Sequence, residues 1–504
     1  MPYRKTFSHT SSHKNISTYR HSYSSASPKT MDMTNGNILS KLIVFVIPLM
    51  ITNLLQMLYN AADMIIVSLS SEPDAVGAIG ITSSFINLVI NIFIGFSTGA
   101  NVIVARHLGA KDEDNASRAV HTAISMSVIF GLVGTVVGFF ISRPVLSSMG
   151  AEGRLLELST TYTLIYFSGA AFLSLTNYLI SIFRAKGDTR TPLVILSISG
   201  VVNVALNAFF VLGCKMSVEG VAIATVISNA LSAAVLLFVL SQSEDPSRFS
   251  FKRLCLDRRS FIDIVHIGLP AGIQGSLFAL SNMMIQSSIL QVNNAVCPPD
   301  AAFAPIVRGS SVSTNLENFI YIAQNSVYQG AITFTSQNAG AKKHKRIYRI
   351  LLCSYLLGSI IAATFALLIF VARNPLLNMY NVADGVVGSL EHLAYQSAIL
   401  RLYMIALPYF IIPFMEVGCG VIRGLGKSIS STIISLFGAC FFRILWIYTV
   451  FRAVFDKLGS TEPMKALASI YLSYPISWIL TGAVFLACVL RLLKKLTKDS
   501  VEAV

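Results

Sequence analysis

Long apolar runs separated by short polar stretches make up most of the chain. At 1.5 Å per residue, each run is long enough to cross roughly 30 Å of hydrocarbon. The twelve runs are approximately Leu39–Leu69, Ala75–Ala105, Ala116–Ile141, Leu155–Phe183, Thr191–Leu212, Val218–Leu240, Ser260–Leu290, Ala301–Gln337, Ile347–Val371, Leu390–Ile422, Ser428–Phe451 and Ala466–Leu490. Because lipid accepts only helices or closed barrels, and these runs are too long for barrel strands, the pattern predicts an all-α polytopic membrane protein with twelve transmembrane helices.

Several motifs of the first half recur in the second half in the same order. The matched positions are Pro48 with Pro270, Asn60 with Asn282, Gly109–Lys111 with Gly340–Lys342, and Arg184–Gly187 with Arg423–Gly426. Six crossings return the chain to the same side of the membrane, so the repetition predicts two six-helix bundles of like orientation. Such repeats, related by an axis along the membrane normal, are typical of transporters whose site lies between the two halves.

These boundaries divide the chain into five parts. We predict a disordered segment over residues 1–36, an N-terminal six-helix lobe over 37–241, a cytoplasmic linker over 242–259, a C-terminal six-helix lobe over 260–492 and a cytoplasmic tail over 493–504. The first 31 residues are rich in Ser and basic residues and have no apolar run, which excludes a secretory signal. An organelle transit peptide has this composition, and so does a chain whose true start is Met31 or Met33; we favour the second interpretation.

Composition and charge agree with a membrane protein and exclude other classes. Of the residues, 54% are hydrophobic and only 12% charged, with a net charge of +14. The charge comes from loops, in clusters such as 248–259 and 342–349, and not from a basic stripe with interleaved aromatics, so we expect no nucleic-acid partner. Lys and Arg concentrate in alternate loops, which predicts cytoplasmic termini in a cell (inner or plasma) membrane. The 7 cysteines never form a CxxC pair, so neither a disulfide framework nor a zinc site is expected.

Most of the 24 acidic residues lie in loops or near the ends of the predicted spans; only Asp63, Glu317 and Glu416 lie well inside them. A charged side chain at the centre of a bilayer is costly, so each is a functional candidate. Asp63 ends a polar stripe that keeps to one face of the first helix. Amides and hydroxyls of other helices would join it, and the predicted cation-coupling set is Asp63, Asn60, Asn203, Asn207 and Thr225. Such a group can take a proton, or bind Na⁺ through Asp63 and Asn203; the alternative is that the amides serve only as interhelical hydrogen bonds.

A second set of polar side chains is predicted to line a substrate cavity. Its members are Gln56, Asn53, Asn87, Gln274, Asn282, Glu317, Tyr321 and Glu416. An acid beside a tyrosine suits a lipophilic cation, through charge and cation–π contact. The alternative for the two glutamates is a buried ion pair with Arg401 or Arg443.

The motifs together resemble those of the multidrug and toxic compound extrusion (MATE) family, within a superfamily that also holds lipid-linked oligosaccharide flippases. The residues that carry the resemblance are Pro48 and Asp63 of the first helix, Gly109–Lys111, Arg184–Pro192, Gly268–Pro270 and Arg423–Gly426. The resemblance covers nearly the whole chain. It implies two lobes around a central cavity and export of cationic amphipathic drugs in exchange for Na⁺ or H⁺, with no cofactor beyond the coupling ion.

The family pattern is matched only in part at the coupling positions. In one branch, a first-helix acid and a fifth-helix Asn/Asp pair form the coupling site; Asp63 and Asn203 match, but Asn207 stands where Asp is found. In another branch, an acid eight residues after the seventh-helix proline is important, and here that position is Phe278.

A flippase and an enzyme would each require other residues in the spans. A lipid-linked oligosaccharide flippase would need cavity cations for pyrophosphate, and the candidates are Arg308, Arg401 and Arg443. An enzyme is not expected, since the spans hold no HExxH or GxSxG motif. We therefore predict a monomeric transporter whose partners are small organic cations and the lipid bilayer.

Overall fold

A computed structural model describes residues 31–70, 72–297, 303–459 and 461–502, and this part of the chain is helical, without strands. Its twelve helical rods are α1 (Ile38–Ser68), α2 (Ala75–Ala110), α3 (Glu113–Ser148), α4 (Gly153–Ser168 and Ala170–Ala185), α5 (Arg190–Gly213), α6 (Val218–Ser241), α7 (Arg258–Val296), α8 (Pro305–Gly340), α9 (His344–Val371), α10 (Leu390–Gly424), α11 (Ser428–Leu458) and α12 (Pro463–Glu502). A short helix, Arg373–Met379, lies between α9 and α10. Residues 1–30 of the predicted disordered segment, and 503–504 of the predicted tail, lie outside the described residues.

The helix termini follow from local sequence. Asn37, Asp112 and Asp257 precede α1, α3 and α7, and each side chain accepts a hydrogen bond from a backbone N–H in the first turn, at 2.8–3.2 Å. Such caps satisfy amides that have no partner within the helix. At the other end of two helices, Lys111 and Lys342 adopt the left-handed conformation, with φ of 57° and 56°.

The sequence repeat is also a repeat of backbone conformation. Lys111 and Lys342 occupy matched positions, and the matched glycines Gly187 and Gly426 likewise have positive φ, 87° and 82°. Glycine is favoured there because a Cβ is strained in this region. The two halves therefore turn in the same way after their second and fourth helices, as the repeat predicted.

Two rods differ from a simple apolar span. α4 bends by 52° at Gly169, where a Cβ would lie 2.6 Å from Val226 of α6. α8 is the least apolar of the long helices because it is largely enclosed, packing against α1, α2, α9 and α10. Ten rods are long and apolar enough to cross a membrane, and so is α4 if its two halves form one bent span, whereas α8 is not apolar enough. The polar side chains of α8 face protein, so it needs little lipid-facing surface.

The rods form two lobes, α1–α6 and α7–α12, that meet most closely where α2 crosses α7. A Cβ on Gly95 would lie 2.2 Å from the amide nitrogen of Gly272, and one on Gly99 would lie 2.4 Å from the Ile264 carbonyl. The absence of side chains at these positions lets the two backbones touch. The contact ties the lobes together near the middle of the molecule.

We call the side on which α1 begins and α2 ends the proximal side, and the opposite side the distal side. Further interlobe contacts lie on the proximal side. Gln337 Nε2 of α8 donates to the Ala185 carbonyl of α4 at 2.7 Å, and a Cβ on Gly340 would lie 1.9 Å from the Arg106 carbonyl. The Thr333 hydroxyl donates to Asn101 Oδ1 at 3.1 Å. The proximal side is therefore closed.

Residues 31–36 are folded against this closed side, which differs from the predicted end of the disordered segment at residue 36. Met33 is fully buried, and Asn338 Nδ2 donates to its carbonyl at 3.1 Å. Partial burial acts to raise the pKa of Asp32, but hydrogen bonds from Asn35 and Thr34 outweigh it and lower that pKa to about 2. The stability that this carboxylate contributes is full above pH 3.8 and is lost as the pH falls through about 2.

Gly309→Ala is expected to destabilise the C-terminal lobe by about 1–3 kcal/mol, because an added methyl group must displace backbone. A Cβ at Gly309 of α8 would lie 2.0 Å from the Ala394 carbonyl of α10. Gly80→Ala of α2 is the matched control, since a Cβ there meets nothing within 4 Å. Thermal unfolding of the purified variants should show a lower Tm only for Gly309→Ala. Equal Tm values for the two variants would contradict this packing.

Candidate functional site

One contact between α1 and α5 positions the predicted cation-coupling residues. The Tyr59 hydroxyl donates to the Ser197 carbonyl at 3.1 Å, and the Tyr59 ring fills the space over Gly200, where a Cβ would lie 1.9 Å from the ring. Asp63 follows Tyr59 by one turn, and Asn207 follows Gly200 by two turns, so each lies on the same face as its predecessor. The packing of a tyrosine on a glycine thus directs the acid of α1 towards the amides of α5.

Asp63, Asn203 and Asn207 are brought together as predicted. Asn207 Nδ2 donates to Asp63 Oδ1, and it also lies 3.3 Å from Asn203 Oδ1. Asn207 is fully buried and Asn203 is 7% exposed, whereas Asp63 is half-buried. No arginine or lysine pairs with Asp63 among the described residues. The carboxylate is therefore held by an amide and not by a guanidinium.

One polar atom at this cluster has no partner. Asn207 donates through its nitrogen, and its Oδ1 is buried without a hydrogen bond in the described part of the chain. An unsatisfied buried oxygen costs about 1–3 kcal/mol. Beside a carboxylate and a second amide oxygen, it forms a group of oxygens that suits a proton donor or a small hard cation.

Two of the predicted coupling residues do not join this cluster. Asn60 is exposed, and the Thr225 hydroxyl donates to the Val221 carbonyl of its own helix at 2.9 Å. Tyr162 and Tyr166 of α4 instead lie near Asp63. No spacing within the first helix could identify these tyrosines, because they belong to α4.

Beyond the crossing of α2 and α7, polar side chains of both helices become exposed on the distal side. Asn91 of α2 packs on Gly275 of α7, where a Cβ would lie 3.1 Å from Asn91 Oδ1. Asn87 and Asn282 continue the same two faces towards the distal side, and both are exposed. We call the space between these faces the distal cleft.

Other predicted cavity residues lie where the interlobe contacts end. Asn53 Nδ2 of α1 donates to the Ser326 hydroxyl of α8 at 3.2 Å, which makes it a link between the lobes and not a free cavity residue. Gln56, one turn further along the stripe, is exposed. The polar stripe of α1 therefore begins in the interlobe contact and continues past it to Asp63.

The prediction that Glu317 lines the cavity is wrong, because the side chain is buried in an ion pair. Arg401 of α10 donates two parallel hydrogen bonds to the Glu317 carboxylate, from Nε at 2.9 Å and Nη2 at 2.8 Å, and a third from Nη1 to Ser310 at 3.2 Å. The Tyr471 hydroxyl also donates to Ser310, at 3.0 Å, and the guanidinium lies over the Tyr471 ring. The alternative interpretation, a buried pair with Arg401, is the observed one.

Glu416 is the remaining acid of the C-terminal lobe and is half-buried. No hydrogen bond or ion pair within 4 Å holds its carboxylate in the described residues. Tyr321, Tyr328 and Tyr409 lie near it, as do the guanidinium groups of Arg423 and Arg443, and Tyr321 is 43% exposed. Glu416 and Tyr321 therefore lie near each other, and both are at least partly exposed.

Arg423 follows the predicted span Leu390–Ile422 directly, yet its side chain is buried in the fold. It lies in the last turn of α10 with 4% exposure, donating to the Tyr328 hydroxyl and, at 2.7 Å, to Gln274 Oε1. The predicted cavity residue Gln274 is thereby committed to this arginine. Hydropathy could not reveal this, because the partners come from α7 and α8.

Arg443 and Arg308, the other two arginines considered for pyrophosphate binding, also have hydrogen-bond partners. Arg443 Nε donates to Ser477 at 3.0 Å and lies 4.1 Å from the Tyr474 ring centroid. Arg308 donates to the carbonyls of Tyr380 and Asn381. Within the described residues, no group of three or more His, Cys, Asp or Glu side chains could hold a metal ion.

Comparisons with known proteins agree with this architecture. The MatE family profile matches residues 48–209 and 306–449. The "Probable multidrug resistance protein YoeA" of Bacillus subtilis is 26% identical over 402 residues, 78% of this chain and 83% of that protein. The "Multidrug export protein MepA" of Staphylococcus aureus is 21% identical over 434 residues, 85% of this chain and 92% of that protein.

One further relative and one solved structure are also similar to this chain. The "FAD transporter" of Shewanella oneidensis is 24% identical over 303 residues, 59% of this chain and 64% of that protein. A crystallised multidrug resistance MATE transporter of the MOP superfamily, described as outward-facing, superposes with a TM-score of 0.81 at 18% identity. The alignment covers 93% of this chain and 99% of that one, which shows the shared two-lobed fold.

Proposed function

Since this chain belongs to the MatE family, we propose that it is a secondary active antiporter that exports cationic amphipathic drugs in exchange for Na⁺ or H⁺. The observation that carries the proposal is Asp63, an acid within a membrane span whose partner is the Asn207 amide and not a guanidinium. A charge at that depth is costly and needs a counter-charge that can come and go. A small cation at Asp63 would be such a counter-charge.

The ligands of the cluster support either coupling ion. The oxygens available are those of the Asp63 carboxylate, Asn203 Oδ1 and the unpartnered Asn207 Oδ1. Na⁺ would take all of these oxygens, whereas a proton needs only the carboxylate. Transport in liposomes with an imposed Na⁺ gradient or pH gradient distinguishes the two ions.

Exchange requires competition between cation and drug. A cation that bound Asp63 with no effect on drug affinity could not drive export, because an equilibrium shifts only by the difference in affinity between two states. We propose that the neutralised cluster favours one orientation of the lobes and the charged cluster, with a drug cation in the distal cleft, favours the other. The exposure of Asn87 and Asn282 on the distal side supports an outward-facing state.

Glu416 and its tyrosines support a cationic substrate. The carboxylate is half-buried and lacks an ion-pair partner among the described residues, and the exposed Tyr321 ring lies near it. A positive charge between a carboxylate and an aromatic face gains both Coulomb and cation–π energy. The names of two relatives, YoeA and MepA, refer to multidrug resistance or export, in line with this substrate class.

The alternative, a lipid-linked oligosaccharide flippase, has less support. A pyrophosphate would need free cations in the cleft, but Arg401 is paired with Glu317, Arg443 is bonded to Ser477, and Arg308 is bonded to backbone carbonyls. Releasing any of them would leave buried partners unsatisfied.

Location and orientation follow from the charge pattern. We propose a monomer in the cell membrane with the proximal side cytoplasmic, because the basic loops 106–118, 184–190 and 342–349 lie on that side. The distal cleft then faces outward.

The test is transport by the purified full-length protein in liposomes. We expect ethidium transport to accelerate when either a Na⁺ gradient or a pH gradient is imposed, and the effective gradient identifies the coupling ion. Protein-free liposomes and collapsed gradients are the controls. No gradient-dependent transport of ethidium, with transport of an anionic dinucleotide such as FAD instead, would overturn the proposed substrate class.

A further inference from the structure

The segment that precedes α1 connects the two lobes across the closed proximal side. Residues 31–37 are covalently continuous with α1 of the N-terminal lobe, and Met31 packs on Gly187 of the same lobe, where a Cβ would lie 2.9 Å from Met31 Cβ. The rest of the segment is bonded to the α8–α9 region of the C-terminal lobe. We call residues 31–36 the N-terminal segment.

Three C-terminal-lobe side chains hold the carbonyl groups of this segment. Asn338 Nδ2 donates to the Met33 carbonyl at 3.1 Å, Lys343 Nζ to the Thr34 carbonyl at 3.0 Å, and Arg346 Nη2 to the Asn35 carbonyl at 2.9 Å. Lys343 also donates to Asn35 Oδ1 at 2.6 Å.

The segment is preorganised to present those carbonyl groups. The Asp32 carboxylate accepts hydrogen bonds from the Thr34 amide and hydroxyl and from Asn35 Nδ2, at 2.7–2.8 Å. Gly36 turns the chain with a φ of +73° into Asn37, the cap of α1, and Lys41 Nζ returns to the Asn35 carbonyl at 2.9 Å. A segment folded by its own contacts loses less entropy when it docks.

We propose that the N-terminal segment is a latch that stabilises the proximally closed state of the transporter. The inference rests on the alternating access of the proposed function. When the lobes separate on the proximal side, the three donors must leave the carbonyls of the segment, and Met33 must leave its buried position. The latch therefore adds its docking energy to the closed state alone, and its loss shifts the equilibrium towards the open state.

The test measures the interlobe distance directly and needs no substrate. Spin labels at Asp114→Cys of α3 and Ser430→Cys of α11, both exposed on the proximal side, are introduced after replacing the seven native cysteines with alanine. Two variants then remove the latch independently. Asn338→Ala/Lys343→Ala/Arg346→Ala deletes the donors, and Met33→Asp expels the buried side chain. Lys345→Ala is the matched control, since it removes an exposed charge from the same loop.

In both latch variants, the ratio of proximally open to closed molecules in double electron–electron resonance should rise about tenfold or more, because each hydrogen bond lost changes an equilibrium constant by about two- to tenfold. Lys345→Ala should leave the distance distribution unchanged, and an unchanged Tm should accompany the shift. A wild-type distance distribution in both latch variants would overturn the proposal. It would mean that the first turns of α1 move with the C-terminal lobe, since Pro48 separates them from the rest of the helix. Failure of ethidium transport with a shifted distribution would instead count against the proposed function only.

Discussion

Asp63→Asn is expected to lower gradient-driven ethidium transport by about 5- to 150-fold, the range of typical coupling between two ligands. The substitution keeps the shape of the side chain and removes the charge that a cation would neutralise. The group would then no longer distinguish a cation-loaded state from an empty one. Transport into liposomes, with the gradient found effective for the wild-type protein, is the measurement.

Glu72→Gln is the control for this experiment. Glu72 also lies in the N-terminal lobe, but it pairs with Arg154 at the surface, at 2.7 Å, and takes no part in the cluster. The Glu72→Gln variant should transport ethidium at the wild-type rate. Because Asp63 accepts a hydrogen bond from Asn207, the Tm of each variant must also be measured to separate lost coupling from lost folding. Gradient-driven transport at the wild-type rate in a folded Asp63→Asn variant would refute the role of this carboxylate.

Arg401→Met is expected to reduce the free energy of unfolding by about 3–5 kcal/mol, since it leaves the Glu317 carboxylate buried without its partner. The pair is bidentate, and its side chains are 6% and 7% exposed. The double variant Glu317→Leu/Arg401→Met should recover most of the loss, because two apolar groups replace two charges and Ser310 keeps its hydrogen bond from Tyr471. Steric trapping in bicelles measures these free energies.

Arg154→Met provides the contrast for the buried pair. The Arg154 side chain is 54% exposed and that of its partner Glu72 is 31% exposed, so water screens the attraction. The expected loss is therefore much smaller than for Arg401→Met, because exposed ion pairs contribute little to stability. A loss for Arg401→Met as small as that for Arg154→Met would show that the Glu317 carboxylate reaches water. It would restore Glu317 as a candidate cavity residue.

The two acids of the C-terminal lobe show why residue type and depth do not assign a role. From the sequence, Glu317 and Glu416 are equal candidates, each an acid in an apolar span. In the fold, α10 brings Arg401 to Glu317, whereas Arg423, about two turns beyond Glu416, donates its hydrogen bonds to Tyr328 and Gln274. Which carboxylate stays available depends on where the arginines of neighbouring helices point, and helical spacing within one span carries no such information.

Asp63 and the fifth-helix amides illustrate the opposite case. The stripe on α1 and the spacing of Asn203 and Asn207 each define one face of a helix, and the fold joins those faces. Helical spacing also placed Asn60 and Thr225 in the predicted coupling set, although both lie apart from the cluster. One face of a helix extends over several turns, whereas a binding site takes residues from about one turn.

The amino-acid sequence by itself determined the membrane class, the number and approximate positions of the helices, the duplication and the resemblance to the MATE family. These depend on periodicity and local chemistry, namely apolar length, caps, and glycines at left-handed turns, which act over a few residues. Only the tertiary structure decided which polar groups are paired, that the lobes close on the side of residues 31–36, and that this segment binds the opposite lobe. Those outcomes depend on contacts between side chains hundreds of positions apart, such as Met33 with Asn338, and the packing of whole helices sets them.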